Sequence, residues 1–280
     1  MIATGFHPDL AFSDYLALDR LSPSGAKVLT RSPAHYRHHR DHPPAETPAL
    51  RIGKALHSLA LEGRPAFDRA FTVAPECDRR TKEGKALWGE FVAASEGKTV
   101  LTAAESEQVA GMAAGILAHP LAPALLADGT PELSLIWDDP ETGCPCKGRM
   151  DLARLGAGAI LDLKTTLDAS PAAFARSVVS FGYATQAAAY LSGAAALGAD
   201  VTDFVILAIE KTPPFALGVY RLSDAALELG RRRWREACAL YVQCLESGRW
   251  PGYPETITEL ALPNWAMSEL YESDESTTEN

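Results

Sequence analysis

Between Glu132 and Lys164 the chain abandons helical periodicity for alternation, in three segments joined by two short links. Glu132 to Trp137, Cys146 to Ala153 and Ala159 to Lys164 read as strands. The links, Asp138-Asp139-Pro140-Glu141-Thr142-Gly143 and Leu155-Gly156-Ala157-Gly158, are rich in turn-forming residues. Links this short connect only antiparallel neighbours, because a parallel crossover needs a dozen or more residues. The segment is therefore constrained to a three-strand antiparallel meander.

That meander carries an unusual set of charges. Asp162 and Lys164 are two apart in a strand and share a face, while Leu161 and Leu163 turn to the other. A symmetric hairpin through Leu155 to Gly158 sets Asp151 opposite Asp162, and one through Asp139 to Gly143 sets Glu132 opposite Asp151. The expected result is a row of three carboxylates with Lys164 at its end. Like charges in cross-strand pairs destabilise a sheet, and a bound cation is the simplest compensation. All-oxygen ligands suit Mg²⁺ or Mn²⁺ better than zinc. Ions held by Glu132, Asp151, Asp162 and the Leu163 carbonyl, beside an ammonium that stabilises developing charge, are the apparatus of phosphodiester hydrolysis.

The flanking sequence predicts helices. Ile52, Leu56, Leu59 and Ala60 recur at helical spacing in a helix from Arg51 to Glu62, which Gly63 stops. Thr102-x-x-Glu105 resembles a capping box opening a helix that runs to about Leu126. After the meander come an Ala-rich helix from Tyr183 to Leu197, strands from Phe204 to Ile209 and from Ala216 to Leu222, and a helix from Ser223 to Glu246. A helix between two strands implies a crossover, so the expected fold is α/β with a mixed central sheet, its meander flanked by helices. One domain spanning 1–262 is expected, with a helical part over about 1–127 (the part that the resemblance given below would place on DNA), a catalytic core over about 128–250, and an acidic, disordered tail over 263–280.

Charge first argues against nucleic acid: 36 acids against 26 basic residues leave a net charge of -10. From Glu255 onward, however, there are seven acids and no Lys or Arg, and the first 254 residues are nearly balanced, 29 acids against 26 basic residues. Arg20 to Lys54 holds seven Lys or Arg against two acids, and a second basic patch runs from Arg79 to Lys85. A local DNA channel is compatible with that distribution. The five cysteines contain no Cys-x-x-Cys pair, which disfavours a disulfide framework, a zinc ribbon or an iron-sulfur cluster; Cys144 and Cys146 read as incidental to a turn. With no secretory signal and no long apolar run, the expected location is the cytoplasm, without membrane contact.

These pieces resemble the PD-(D/E)xK nuclease superfamily and, within it, the RecE-like (exonuclease VIII type) exonucleases of phages and prophages. The matching stretches are Leu21-Ser22-Pro23-Ser24 with Ser32-Pro33-Ala34-His35-Tyr36, Gly53-Lys54-Ala55-Leu56-His57, Glu132, Gly148-Arg149-Met150-Asp151, Asp162-Leu163-Lys164, and Gln186-x-x-x-Tyr190. The resemblance implies an exodeoxyribonuclease using two Mg²⁺ ions, with Mn²⁺ able to substitute. It would degrade one strand of linear duplex from the 5′ end and leave 3′ overhangs for a RecT-like single-strand annealing protein. It also implies a homo-oligomeric ring, trimer or tetramer, around the DNA.

By the same resemblance His57 joins the metal site, and Gln186 with Tyr190 contacts the substrate strand or orients the lysine. By its residues alone, His57 reads as a packed or solvated helical histidine, and Tyr190 as a core aromatic. Ser24, Lys27 and Arg31 are expected near the 5′-terminal phosphate, and Arg149 and the loop of Arg79, Arg80 and Lys82 on DNA. Trp88 after that loop either stacks on a base or faces the core. Two alternatives stay open: another PD-(D/E)xK endonuclease of repair or restriction, or a non-catalytic DNA-binding recombination protein of the same fold.

Overall fold

The computed structural model describes residues 2–262; the acidic tail expected over 263–280 lies outside the described residues. In chain order the elements are β1 (Gly5–His7), α1 (Phe12–Ala17), α2 (Pro23–Arg31), α3 (Pro33–Asp41), α4 (Pro48–His57), a π-helical turn (Ser58–Glu62), α5 (Arg64–Ala70), β2 (Phe71–Val73), α6 (Lys82–Ala94), β3 (Thr99–Leu101), α7 (Ala103–Ala118) and α8 (Ala122–Leu126). Then follow β4 (Thr130–Asp138), β5 (Pro145–Arg154), β6 (Ala159–Thr166), α9 (Pro171–Phe181), α10 (Tyr183–Ala196), β7 (Asp203–Glu210), β8 (Leu217–Arg221) and α11 (Asp224–Ser247).

The central sheet is mixed, in the order β1-β4-β5-β6-β7-β8, with β6 parallel to β7 and the other neighbours antiparallel. The meander is present, each strand slightly longer than its alternating pattern. Asp139 closes the first turn: its Oδ1 accepts from the Thr142 backbone and hydroxyl, and its own N–H bonds Cys144 O. The parallel step is made by α9 and α10, which cover one face with α2 and α11. That face buries Trp137, Met150, Ile160, Tyr190, Trp234 and Tyr241. Gly230 lets α11 press onto α10, since a Cβ there would lie 2.1 Å from Ala184 O. The other face is covered by α4, α5 and α7 around Leu56, Phe67, Met112, Leu161, Leu163 and Leu207.

Three local outcomes differ from the sequence reading. The helix capped by Thr102 and Glu105 has its capping box, but it ends at Ala118 instead of running on to Leu126. His119 is extended (ψ 133), as expected of a residue preceding a proline, and α8 restarts with Pro123 in its first turn. The helix stopped by Gly63 finishes in a π turn over its last five residues. Finally α9, the edge strand β1 and the small parallel pair β2-β3 were not anticipated; the strands are three residues each, too short to display a period. Among the described residues no helix is long and apolar enough to cross a membrane.

Candidate active site

The expected carboxylate row is built, and then broken. The β4–β5 ladder runs Pro131↔Leu152 and Leu133↔Met150, in the anticipated register, but passes over Glu132 and Asp151. Glu132 has φ 50, a left-handed conformation uncommon for a residue with a Cβ. The alternation slips there: Met150 and Leu152, two apart, pack into opposite cores. The β5–β6 ladder stops at Leu152↔Leu161, one step before Asp151 would face Asp162. Asp151 Oδ2 instead accepts the Leu163 N–H at 2.8 Å. A carboxylate has replaced a ladder carbonyl, and the strands part around it.

The split sends the three acids to two partners. Asp151 Oδ1 lies 3.8 Å and Glu132 Oε1 3.9 Å from His57 Nδ1, at the last residue of α4. Potential ligand atoms of His57, Glu132 and Asp151 all fall within 4.8 Å of one another. His57 Nε2 donates to Leu163 O at 2.8 Å, so this carbonyl, expected as a metal ligand, is held by the histidine. Burial by itself would lower the imidazole, but Asp151 and Glu132 outweigh it and the pKa rises to about 9. At neutral pH His57 is a cation among carboxylates. Two carboxylates, an imidazole that can shed its proton and a nearby carbonyl fit a divalent cation.

Asp162, expected as the third carboxylate ligand, is not among those clustered ligand atoms and is engaged by Lys164 and Gln186 instead. It is fully buried, with Lys164 Nζ 2.6 Å from Oδ2 and Gln186 Nε2 donating to Oδ1 at 2.8 Å. Burial pushes its carboxyl up, Lys164 opposes, Asp151 adds, and the net result is about 6. Burial alone would lower Lys164, yet Asp162 and Asp151 hold it above the ordinary lysine range. It is therefore a fixed ammonium. Its Nζ also lies 5.2 Å over the ring of Tyr183, a contact the sequence reading missed although Tyr183 stands one turn before Gln186. Tyr190 hydroxyl donates to Arg149 O at 2.7 Å, and Gly148 makes room for its ring: a Cβ there would lie 2.8 Å from it.

Of the residues expected on DNA, Arg149 stands on the same cleft as His57, Glu132 and Asp151, and the others lie elsewhere. Arg149 is a structural clamp: Nε donates to Ser134 Oγ at 2.9 Å, Nη2 to Leu10 O at 2.5 Å, and the guanidinium stacks on Phe12 and Tyr15. Lys147, on the same strand face, donates to the carbonyls of Tyr15, Leu16 and Leu18. Together they pin α1 beside the site. Burial brings Lys147 down to about 8. An open cleft of about 680 Å³ leads to His57, Glu132 and Asp151, with the half-exposed Phe12, Leu50 and Lys54 at its walls. Nothing in the strand pattern pointed to Phe12 or Leu50.

Ser24, Lys27 and Arg31 line none of that cleft. Lys27 borders a separate cleft with Arg233, between α2 and the α9–α10 turn, and stacks over Phe181. Arg31 donates to Tyr253 hydroxyl, and Ser24 to or from Ser22. In the other loop Arg80 pairs with Asp78, Arg79 stacks on Trp88 and Lys82 begins α6. Trp88 with Phe91 and Val92 borders a shallow apolar hollow at the surface, so it faces neither the main core nor the carboxylates.

The family described as a PDDEXK-like domain of unknown function (DUF3799) matches residues 22–262. A structure from Eubacterium rectale bearing the name "Putative exonuclease" is 16% identical with a TM-score of 0.61, over 93% of this chain and 98% of that one. Two others are more remote: SSO0001 (12% identity, TM-score 0.31, 79% of this chain and 75% of that one) and a phage related exonuclease from Haemophilus somnus 129PT (10%, 0.30, 82% and 96%). A search of curated proteins returns no significant match. With its family match across most of its length and a shared architecture, the chain has a nuclease fold and belongs to the PDDEXK-like family DUF3799.

Proposed function

We propose that this protein is a Mg²⁺-dependent exodeoxyribonuclease that degrades linear duplex DNA from the 5′ end and leaves 3′ single-stranded overhangs for recombination. The observation that carries the hydrolytic part is the His57, Glu132 and Asp151 group standing beside the Asp162–Lys164 ion pair. Those three residues, with the Leu163 carbonyl once His57 releases it, would hold the cation, Mg²⁺ with Mn²⁺ able to replace it. When bound, the ion supplies charge neutralisation and an acidified water.

The chain's own residues supply the rest. Lys164, held protonated, donates hydrogen bonds to a phosphate oxygen or to the attacking water and is no proton acceptor. Asp162 and Gln186 fix its position. Tyr190 ties the strand that carries Asp151 to α10. Lys54, at the cleft mouth and paired there with Glu46, would have to exchange that carboxylate for a phosphate to contact DNA. The strand polarity, the second ion, the trimeric or tetrameric ring and the RecT-like annealing partner rest on the resemblance to RecE-like exonucleases.

The test is digestion of end-labelled linear duplex and closed circles, with Mg²⁺ or EDTA. Loss of 5′ label from linear DNA only, abolished by EDTA, is expected. Cleavage of closed circles would make the protein an endonuclease, and first release of 3′ label would reverse the polarity.

A further inference from the structure

We propose that Cys144, Cys146 and Cys238 form a second metal site, a three-thiolate centre for one thiophilic d¹⁰ cation, Zn²⁺ or Cu⁺. By sequence, Cys144 and Cys146 read as incidental to a turn, and none of the five cysteines forms a Cys-x-x-Cys pair. The fold brings them together from the β4–β5 turn and from α11. All three are free thiols and fully or almost fully excluded from solvent. Their sulfurs all lie within 4.8 Å of one another, and those of Cys146 and Cys238 are 4.0 Å apart.

That spacing has a chemical meaning. Metal–thiolate bonds are about 2.3 Å, so three sulfurs in a plane around one ion stand about 4 Å from one another. A disulfide needs sulfurs about 2 Å apart, so this triangle is too wide for one without movement. Cys144, the last residue of the β4–β5 turn, and Cys146, the second residue of β5, are separated only by Pro145. Cys238 comes from the row of α11 that also buries Trp234 and Tyr241. Cys244, six residues further on, is buried but outside the triangle. Among the described residues no fourth His, Cys, Asp or Glu joins the group, which favours an ion content with three soft ligands.

The centre is separate from the carboxylate site. Cys146 and Asp151 are five residues apart along β5, about 17 Å at the rise of a strand. An ion there would fasten the β4–β5 turn to α11 and so brace the meander that carries Glu132 and Asp151. Each ligating thiol releases its proton on binding. Trp137, the cross-strand partner of Cys146, and Trp234, one turn before Cys238, are built-in fluorescent reporters.

The experiment uses the full-length protein with Asp151→Asn, which weakens the carboxylate site, under reductant and without oxygen. Zn²⁺ and Cu⁺ are titrated in separate arms while tryptophan fluorescence, retained metal per chain and, with Co²⁺ as a probe, thiolate charge-transfer absorbance are read. One tightly retained equivalent of either ion and a thiolate band are expected, both lost in Cys238→Ser and kept in Cys244→Ser. Retention of neither ion, a Co²⁺ spectrum without thiolate absorbance, or unchanged binding in Cys238→Ser would overturn the proposal. The Co²⁺ spectrum of the otherwise unaltered cysteine set decides the matter even where the Cys238 variant misfolds. Nuclease activity enters none of these readouts, so failure here and failure of the proposed function are distinct results.

Discussion

Lys164 Nζ stands 2.6 Å from Asp162 Oδ2, on a carboxylate with no solvent exposure at all. The pair is the hub of the site: Gln186 takes the second oxygen of Asp162, and Tyr183 lies under the ammonium. Removing one member of a buried pair strands the other. Lys164→Met is therefore expected to reduce DNA hydrolysis by at least about 10²-fold, comparable to loss of a transition-state donor. Asp162→Asn should do likewise and also lower stability by about 3 kcal/mol. Digestion assays and thermal melts of both variants check this; wild-type rates in Lys164→Met would remove lysine from the mechanism.

His57 couples metal uptake to pH. Its pKa of about 9 means that a cation entering between Glu132 and Asp151 must displace a proton or face an imidazolium. Affinity for Mg²⁺ or Mn²⁺ should rise with pH up to about 9, approaching tenfold per unit. Calorimetry in buffers of different ionisation enthalpy reads the released proton directly. A pH-independent affinity between 6.5 and 8.5 would contradict the arrangement.

The same groups set the stability of the metal-free protein. Asp162 and His57 both have pKa values raised above their unfolded values, to about 6 and about 9. Between the unfolded and folded values the native state binds more protons, so each contribution is present at lower pH and is lost as pH climbs. Asp162 withdraws its share from about pH 4 to 6, His57 from about 6.5 to 9. Asp162→Asn and His57→Gln should flatten these two segments separately in denaturant titrations across pH.

Tyr190→Phe deletes a hydroxyl that donates to Arg149 O at 2.7 Å. A loss of about 1 kcal/mol of stability is expected for one buried hydrogen bond. If the hydroxyl positions Asp151 through β5, kcat falls while KM for DNA stays; equal rates with only a lower melting temperature would assign it to packing.

Arg149 is expected to act on structure and not on DNA affinity. Arg149 is already engaged by Ser134 and Leu10, so Arg149→Met should lower stability and leave the salt dependence of DNA binding unchanged. A change in the salt slope of about one unit would show a phosphate contact instead.

The sequence by itself determined the meander. Alternating segments joined by short turn-forming links admit only antiparallel neighbours, and the turn midpoints set the register seen in both ladders. It also determined that Asp162 and Lys164 share a face, since side chains of a strand repeat every two residues. The helix starts at Thr102 and Ser223 were legible because capping is a local interaction. What only the tertiary structure decided is how the carboxylates are divided. Period and register place Glu132, Asp151 and Asp162 in one row, but they are blind to the left-handed turn at Glu132 and to the Asp151 side chain inserted at Leu163 N–H. These send one acid to Lys164 and Gln186 and two to His57. The clamp of Arg149 on Leu10 and the gathering of Cys144 and Cys146 with Cys238 are of the same kind. Such contacts join residues far apart in the chain, and no local rule of spacing or propensity encodes a distance that packing alone sets.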